Sequence, residues 1–165
     1  MDKANQSNSK NQHGIFEPFA TEKVPWEDFS HGKFGMRYQQ LGNYGGGTKL
    51  GVCMEILEPG KQANQSHYHL LEEEHLYVLE GEMTLTLGDK SYVLQVGSYV
   101  CFPAGQNQGH SITNHSPCIC RYLVMSDRNP NDVIIYPETD KVSVRATGEI
   151  YQKSAVLDYW ANVDD

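Results

Sequence analysis

The stretch "SHYHLLEEEHLYVLEG", residues 66–81, sets two histidines one residue apart. Three glutamates follow, then an apolar run that ends in glycine. In a β-strand, residues i and i+2 point to the same face, so His67 and His69 enter one space. Glu74 lies five residues beyond His69, an odd offset that one unbroken strand cannot reconcile. A turn through residues 70–73 resets the geometry and lets Glu74 open the next strand, on a face shared with Leu76 and Val78. Glu72 and Glu73 then read as a solvated acidic turn, and are the rivals of Glu74 as ligands. His75 points away from the face of Glu74, toward packing or solvent.

Outward from this stretch the apolar period stays at two. Leu50, Val52, Met54 and Ile56 share one face of "TKLGVCMEIL". Met83, Leu85 and Leu87 alternate with threonines, Gly88-Asp89 makes a turn, and Tyr92, Leu94 and Val96 resume the alternation. Short strands follow in "SYVCF", "HSITN" and "CRYLVM", each bounded by Gly, Pro, Asn or Ser. Such spacing specifies an all-β sandwich or barrel. A short strand is expected near residues 36–40 of an otherwise extended N-terminal arm. A short helix is expected at 155–161. Gly45-Gly46-Gly47 lacks the Gly-Lys-Ser/Thr ending of a phosphate loop and reads as a turn. In "HLYVL" both faces are apolar, with Leu76 and Val78 on one and Tyr77 and Leu79 on the other. A strand with one face in water alternates more cleanly, so the arm or a second subunit is expected to cover the outer face.

A third imidazole comes from "GSYVCFPAGQNQGHSITN", residues 97–114. A strand over 98–102 ends at Pro103, Gly105 turns the chain, and His110 starts a strand in which His110, Ile112 and Asn114 share a face. Taken together, Gly60, His67-x-His69, Glu74 and Gly81 resemble the first motif of the cupin superfamily. Gly97, Pro103-x-Gly105, His110 and Asn114 resemble the second. The resemblance implies a double-stranded β-helix, or jelly-roll barrel, in which three histidines and one glutamate hold a divalent metal. Carried over, the ligands are His67, His69, Glu74 and His110. Two departures stand out. Four residues rather than two separate Gly105 from its histidine, which makes Gln108 the rival of His110. Ser98 also replaces the aspartate that often follows Gly97. The wider chain is similar to single-domain bacterial cupins, mostly of unassigned function.

Composition bounds the rest. With 165 residues, 39% apolar and 21% charged, the chain fits one folded domain. Residues 1–13 read as a disordered polar tail and 14–165 as the cupin domain, its barrel core over about 48–126. A net charge of −8 without a basic run disfavours nucleic acid. No apolar stretch reaches bilayer length, and the N-terminal stretch lacks a signal-peptide pattern, so a cytoplasmic location is expected. The four cysteines are expected to be reduced; Cys118 and Cys120 share a strand face, but no second pair completes a tetrahedral site. The two-faced strand and the family's habit together imply a homodimer.

Three neutral imidazoles and a carboxylate suit Fe, Mn, Ni, Zn or Cu alike and leave positions for water or substrate. Strand parity gives a mostly apolar pocket lined by Leu76, Phe102 and Tyr122, with Arg37 or Arg121 as candidate anchors for an acidic group and no carboxylate placed as a general base. The reading is a metal-dependent enzyme on a small oxygenated metabolite, and the resemblance implies oxygenase, isomerase, decarboxylase or lyase chemistry alike. The alternatives are a non-catalytic binding or sensing barrel and a purely structural metal site.

Overall fold

The computed structural model describes residues 8–162. Thirteen strands carry the architecture: β1 (Glu27–His31), β2 (Phe34–Gln39), β3 (Leu50–Leu57), β4 (Tyr68–His69), β5 (Glu74–Glu80), β6 (Glu82–Leu87), β7 (Lys90–Gln95), β8 (Tyr99–Phe102), β9 (His110–Thr113), β10 (Cys120–Asp127), β11 (Val133–Tyr136), β12 (Lys141–Val144) and β13 (Glu149–Gln152). A four-residue helix, α1 (Leu41–Tyr44), precedes β3. No helix among the described residues is long and apolar enough to cross a membrane.

The strands form three sheets, ordered β1-β2-β3-β10-β5-β8, β13-β12-β11-β4 and β7-β6-β9. Hairpins join β1 to β2, β6 to β7, β11 to β12 and β12 to β13. In the β6–β7 hairpin, Gly88 supplies the positive φ (58°) that a two-residue turn uses. The inward faces meet in one core of Leu57, Ala63, Leu76, Val78, Met83, Leu85, Phe102, Ile112, Cys120 and Tyr122. Asn114, fully buried at the end of β9, donates to the carbonyls of Leu57 (2.8 Å) and Cys118 (2.7 Å). That one amide ties the exits of β3 and β9 to the entry of β10.

Several expectations are revised. On β3, where the alternation left open which face turns inward, it is that of Glu55 and Leu57, opposite to Leu50, Val52, Met54 and Ile56. Ile56 and Leu57, on opposite faces of this strand, are both buried, so alternation alone does not tell inside from outside. The arm does not lie over Tyr77 and Leu79. It folds into the β1–β2 hairpin and extends the sheet edge beside β3, leaving Tyr77, Leu79 and Tyr99 partly exposed. Residues 1–7 of the expected tail lie outside the described residues. Residues 8–13 of it are held: the Ser9 amide donates to the Tyr44 carbonyl (3.0 Å), and Lys10 bridges to Phe16. Residues 155–158 are irregular and 159–161 lie in a turn, so no helix forms there. Asp158 accepts from the Trp160 amide (2.9 Å), a local bond that competes with helix formation. Val156, Leu157, Tyr159 and Trp160 stay exposed, so no packing rescues so short a helix. Cys118 is exposed and Cys120 buried, and all four cysteines are free.

Gly81, between β5 and β6, has φ +73°, and a Cβ there would stand 2.3 Å from the Ile119 carbonyl oxygen. Gly97 has φ +87° but open space around it. We expect Gly97→Ala to cost about 1 kcal/mol, the backbone penalty alone. Gly81→Ala should cost clearly more, about 3 kcal/mol, because the backbone must also shift. Urea midpoints at constant m-value measure both; equal costs would rule out the close approach.

Candidate metal centre

His67 and His110 meet across a short bridge, the His67 amide bonding to the His110 carbonyl (3.1 Å) and the reverse (2.8 Å). Their rings lie 4.6 Å apart between centroids, and the His67 and His69 rings 5.1 Å. Glu74, at the mouth of β5, brings Oε2 to 3.6 Å from His69 Nε2 and 3.8 Å from His110 Nε2. Ligand atoms of His67, His69 and Glu74 all fall within 4.8 Å of one another, a group able to hold a metal ion. Gln108 is exposed, its side chain packed against Gly88, whereas His110 is buried and turned inward. The longer loop is anchored where the Gly105 amide donates to the His69 carbonyl (2.9 Å).

Each imidazole is oriented from behind. The His67 Nδ1 lies 2.8 Å from the Gln65 carbonyl, so Nδ1 carries the proton and Nε2 the lone pair. His69 Nδ1 lies 2.6 Å from Asp132 Oδ2, a carboxylate–histidine pair that leaves Nε2 for the site. Phe102 stacks on His110 at 3.7 Å with planes 6° apart. Burial and the neighbouring His110 hold His67 down to about 4. Burial alone would raise the Glu74 carboxyl, but the surrounding imidazoles more than offset it and lower it.

Asp132, fully buried before β11, also accepts from the Leu71 (3.0 Å) and Glu72 (3.3 Å) amides. Glu72 is no solvated turn residue. It is 2% exposed, accepts from the Asn129 amide (2.6 Å), pairs with Arg145, and sets its other oxygen 3.7 Å from His69 Nδ1. Glu73 is the exposed one, bonding His75 (2.9 Å) on the outer face, where Tyr99 takes the other ring nitrogen (2.5 Å). These two and Cys101 make a second His/Cys/Glu group, outside the barrel.

The histidines and Glu74 border a cavity of about 230 Å³. Its lining is more polar than the apolar pocket expected. Of the three lining residues named from parity only Tyr122 borders it; Leu76 lies in the core and Phe102 behind His110. Arg37 pairs with Asp28 (3.2 Å) and Arg121 with Glu80 (3.3 Å), both away from the cavity, and the cation at its edge is Arg145. A second carboxyl does face the cavity. Glu55 is 8% exposed, and burial, with Glu74 nearby, pushes it up to about 7 although Tyr122 works the other way. Sequence reasoning missed Glu55 because the apolar run Val52, Met54, Ile56 claimed the opposite face. A lone charge among apolar residues of one strand was the available signal.

Residues 53–126 match the cupin domain family. A proposed sugar phosphate isomerase from Acidithiobacillus ferrooxidans superposes with a TM-score of 0.77 at 30% identity, covering 83% of this chain and 90% of that one. The chain belongs to the cupin superfamily. Another cupin, the sugar phosphate isomerase of Silicibacter pomeroyi, aligns at TM-score 0.77 and 24% identity over 87% of this chain and 98% of that one. The polyketide cyclase RemF of Streptomyces resistomycificus shares the fold at TM-score 0.57 and 20% identity, over 68% and 80%. No curated protein matches by sequence.

The raised carboxyl makes a pH prediction for this cupin. Glu55 holds its proton more tightly folded, at about 7, than unfolded, near 4.5. Stability from this group is therefore complete below the unfolded value and is lost as pH rises through the folded one. In metal-free protein, the stability of Glu55→Gln relative to wild type should rise by about 3 kcal/mol from about pH 4 to about pH 8. Denaturant titrations across that range check it; a flat difference would mean that Glu55 ionises as in water.

Proposed function

We propose that this cupin is a metal-dependent enzyme that acts on a small oxygenated metabolite, with His67, His69, Glu74 and His110 as ligands of one divalent transition ion. The observation that carries the reading is His110 Nε2. It is buried, has no hydrogen-bond partner among the described residues, and lies among two other imidazoles and a carboxylate. A buried polar atom without a partner is costly unless something absent from the protein chain satisfies it. The donor set fits that something. His67, held neutral by burial, cannot balance the Glu74 charge, and neutral nitrogens beside a carboxylate are what Fe, Mn, Ni, Zn or Cu accept. Bound there, the ion would polarise a carbonyl or acidify a water.

The protein's own residues would do the rest. Asp132 fixes the His69 ring, the Gln65 carbonyl fixes His67, and Phe102 seats His110. The relative at 30% identity supports a sugar derivative as the metabolite. Among the described residues that line the cavity the cation is Arg145, which Glu72 engages and which lies 3.8 Å from Asp132. The sugar-like hydroxy-carbonyl portion is therefore the part this cavity supports best. A non-catalytic barrel would draw support from an apolar pocket without an acid, and Glu55 removes that support.

The same reading includes a homodimer through the outer face of β5 and β8, where Tyr77, Leu79 and Tyr99 lie partly exposed. Light scattering should give twice the chain mass at micromolar concentration; a monomer there would remove this part.

Elemental analysis of protein purified without an affinity metal column should find about one equivalent of a single transition metal per chain. The His67→Ala, His69→Ala double variant should hold none, and Asp132→Asn should bind the same metal about 10–100-fold more weakly. Wild-type protein that stays empty after reconstitution would sink the metal reading.

A further inference from the structure

Glu55 and Tyr122 are direct partners in the β3–β10 ladder, so both side chains leave the same face and enter the cavity that the histidines border. Tyr122 is fully buried, and its hydroxyl has no hydrogen-bond partner among the described residues. No lysine or arginine of the described residues pairs with Glu55. A barrel built only for stability would fill these two positions with apolar side chains. A buried acid without a cation costs several times what a buried leucine contributes. The other two buried carboxylates near the site are accounted for by hydrogen bonds: Asp132 by His69 and two amides, Glu72 by Arg145 and one amide. Glu55 and the Tyr122 hydroxyl lie beside each other at the cavity that His110 Nε2 also faces, and no cation or backbone amide of the described residues compensates Glu55.

We propose that Glu55 is the catalytic acid–base of this cavity, that the Tyr122 hydroxyl is its oxygen-side partner, and that the reaction is proton transfer within an α-hydroxy carbonyl compound. The inference rests on the metal-dependent reading above for polarisation of the carbonyl. The Glu55 carboxylate removes the proton from the carbon that bears the hydroxyl. The electron pair of that C–H bond becomes the carbon–carbon double bond of an enediolate as the carbonyl oxygen takes the charge. The hydroxyl proton crosses to the neighbouring oxygen by way of the Tyr122 hydroxyl, which donates and accepts at once. Protonated Glu55 then returns its proton to the former carbonyl carbon. The product is an isomer of the substrate, and no oxidant, reductant or water is consumed. Burial also supports the assignment from the side of the acid: a carboxyl pushed up to about 7 gives and takes protons near neutrality.

The test uses the full chain, loaded in turn with Mn, Fe, Ni, Zn and Cu and assayed for bound metal. Each form is incubated in deuterium oxide with dihydroxyacetone, fructose, fructose 6-phosphate and ribulose 5-phosphate. Proton NMR follows deuterium entering the carbon next to the carbonyl, and separately the appearance of the isomer. Free and phosphorylated probes distinguish a plain sugar from its phosphate ester. The wild type should incorporate deuterium from at least one probe. Glu55→Gln should lose that exchange by about 100-fold or more, with metal content and probe affinity by calorimetry unchanged. Tyr122→Phe should keep carbon exchange but slow formation of the isomer, a split that a merely structural role does not produce. Exchange in Glu55→Gln at the wild-type rate would overturn the proposal. So would wild-type protein that holds one metal per chain, yet exchanges no probe; the metal reading would then survive alone. A chain that holds no metal removes the reading beneath the inference, and the inference with it.

Discussion

Four carboxylates crowd one end of this barrel, and the structure around them is an answer to the cost of burying them. A buried carboxylate needs hydrogen bonds or opposite charge. Asp132 receives two backbone amides and His69; Glu72 receives Arg145 and the Asn129 amide. Both solutions draw on the segment 128–145, which returns past the barrel mouth and lays β11 against β4. The short strand β4 carries His69, so the pairing that satisfies Asp132 also fixes an imidazole. Glu74 has imidazoles around it, of which burial holds His67 neutral. Glu55 has the cavity and the Tyr122 hydroxyl beside it. The carboxylates that protein groups satisfy shape the site, and the two that they leave short of positive charge face its open space.

The parts of this arrangement that were legible in the sequence are the local ones. His67, His69, Glu74 and His110 announce themselves because strand parity and turn glycines work over a few residues. The turn at 70–73 resets the register as the odd offset requires, and Glu74 begins β5. The strands at 99–102, 110–113 and 120–127 follow from the same alternation. What stayed hidden depends on contacts far apart in the chain. Asp132 lies 63 residues from the histidine it holds, and Arg145 lies 73 from Glu72. No period in the sequence links them. Glu55 was obscured for a different reason: β3 is central in its sheet between β2 and β10, and its regular apolar alternation, Leu50, Val52, Met54 and Ile56, lies on the face opposite Glu55. Phe102 was placed on the correct side of its strand but at the wrong depth, since parity gives a face and not a distance from the cavity.

Strand β10 explains how the two halves of the site come together. It pairs with β3 on one side and with β5 on the other, so Tyr122 stands opposite Glu55 in one ladder and Val78 in the other. An irregularity in the β5 ladder between Arg121 and Tyr122 leaves Arg121 opposite Glu80, with which it pairs on the outer face. Such a bulge re-aims neighbouring side chains without ending the sheet. Toward the mouth the ladder resumes and sets Ser126 opposite Glu74, keeping the carboxylate at the rim of the strand that also carries buried Leu76 and Val78. Glu55 and Glu74 are therefore held by rigid strands on either side of β10, and neither sits on a loop. Two carboxyl groups fixed in this way hold their protons differently, Glu74 lowered by imidazoles and Glu55 raised by burial. Proteins named as a sugar phosphate isomerase and a polyketide cyclase share this barrel, so the architecture supplies inward positions and does not by itself choose a reaction.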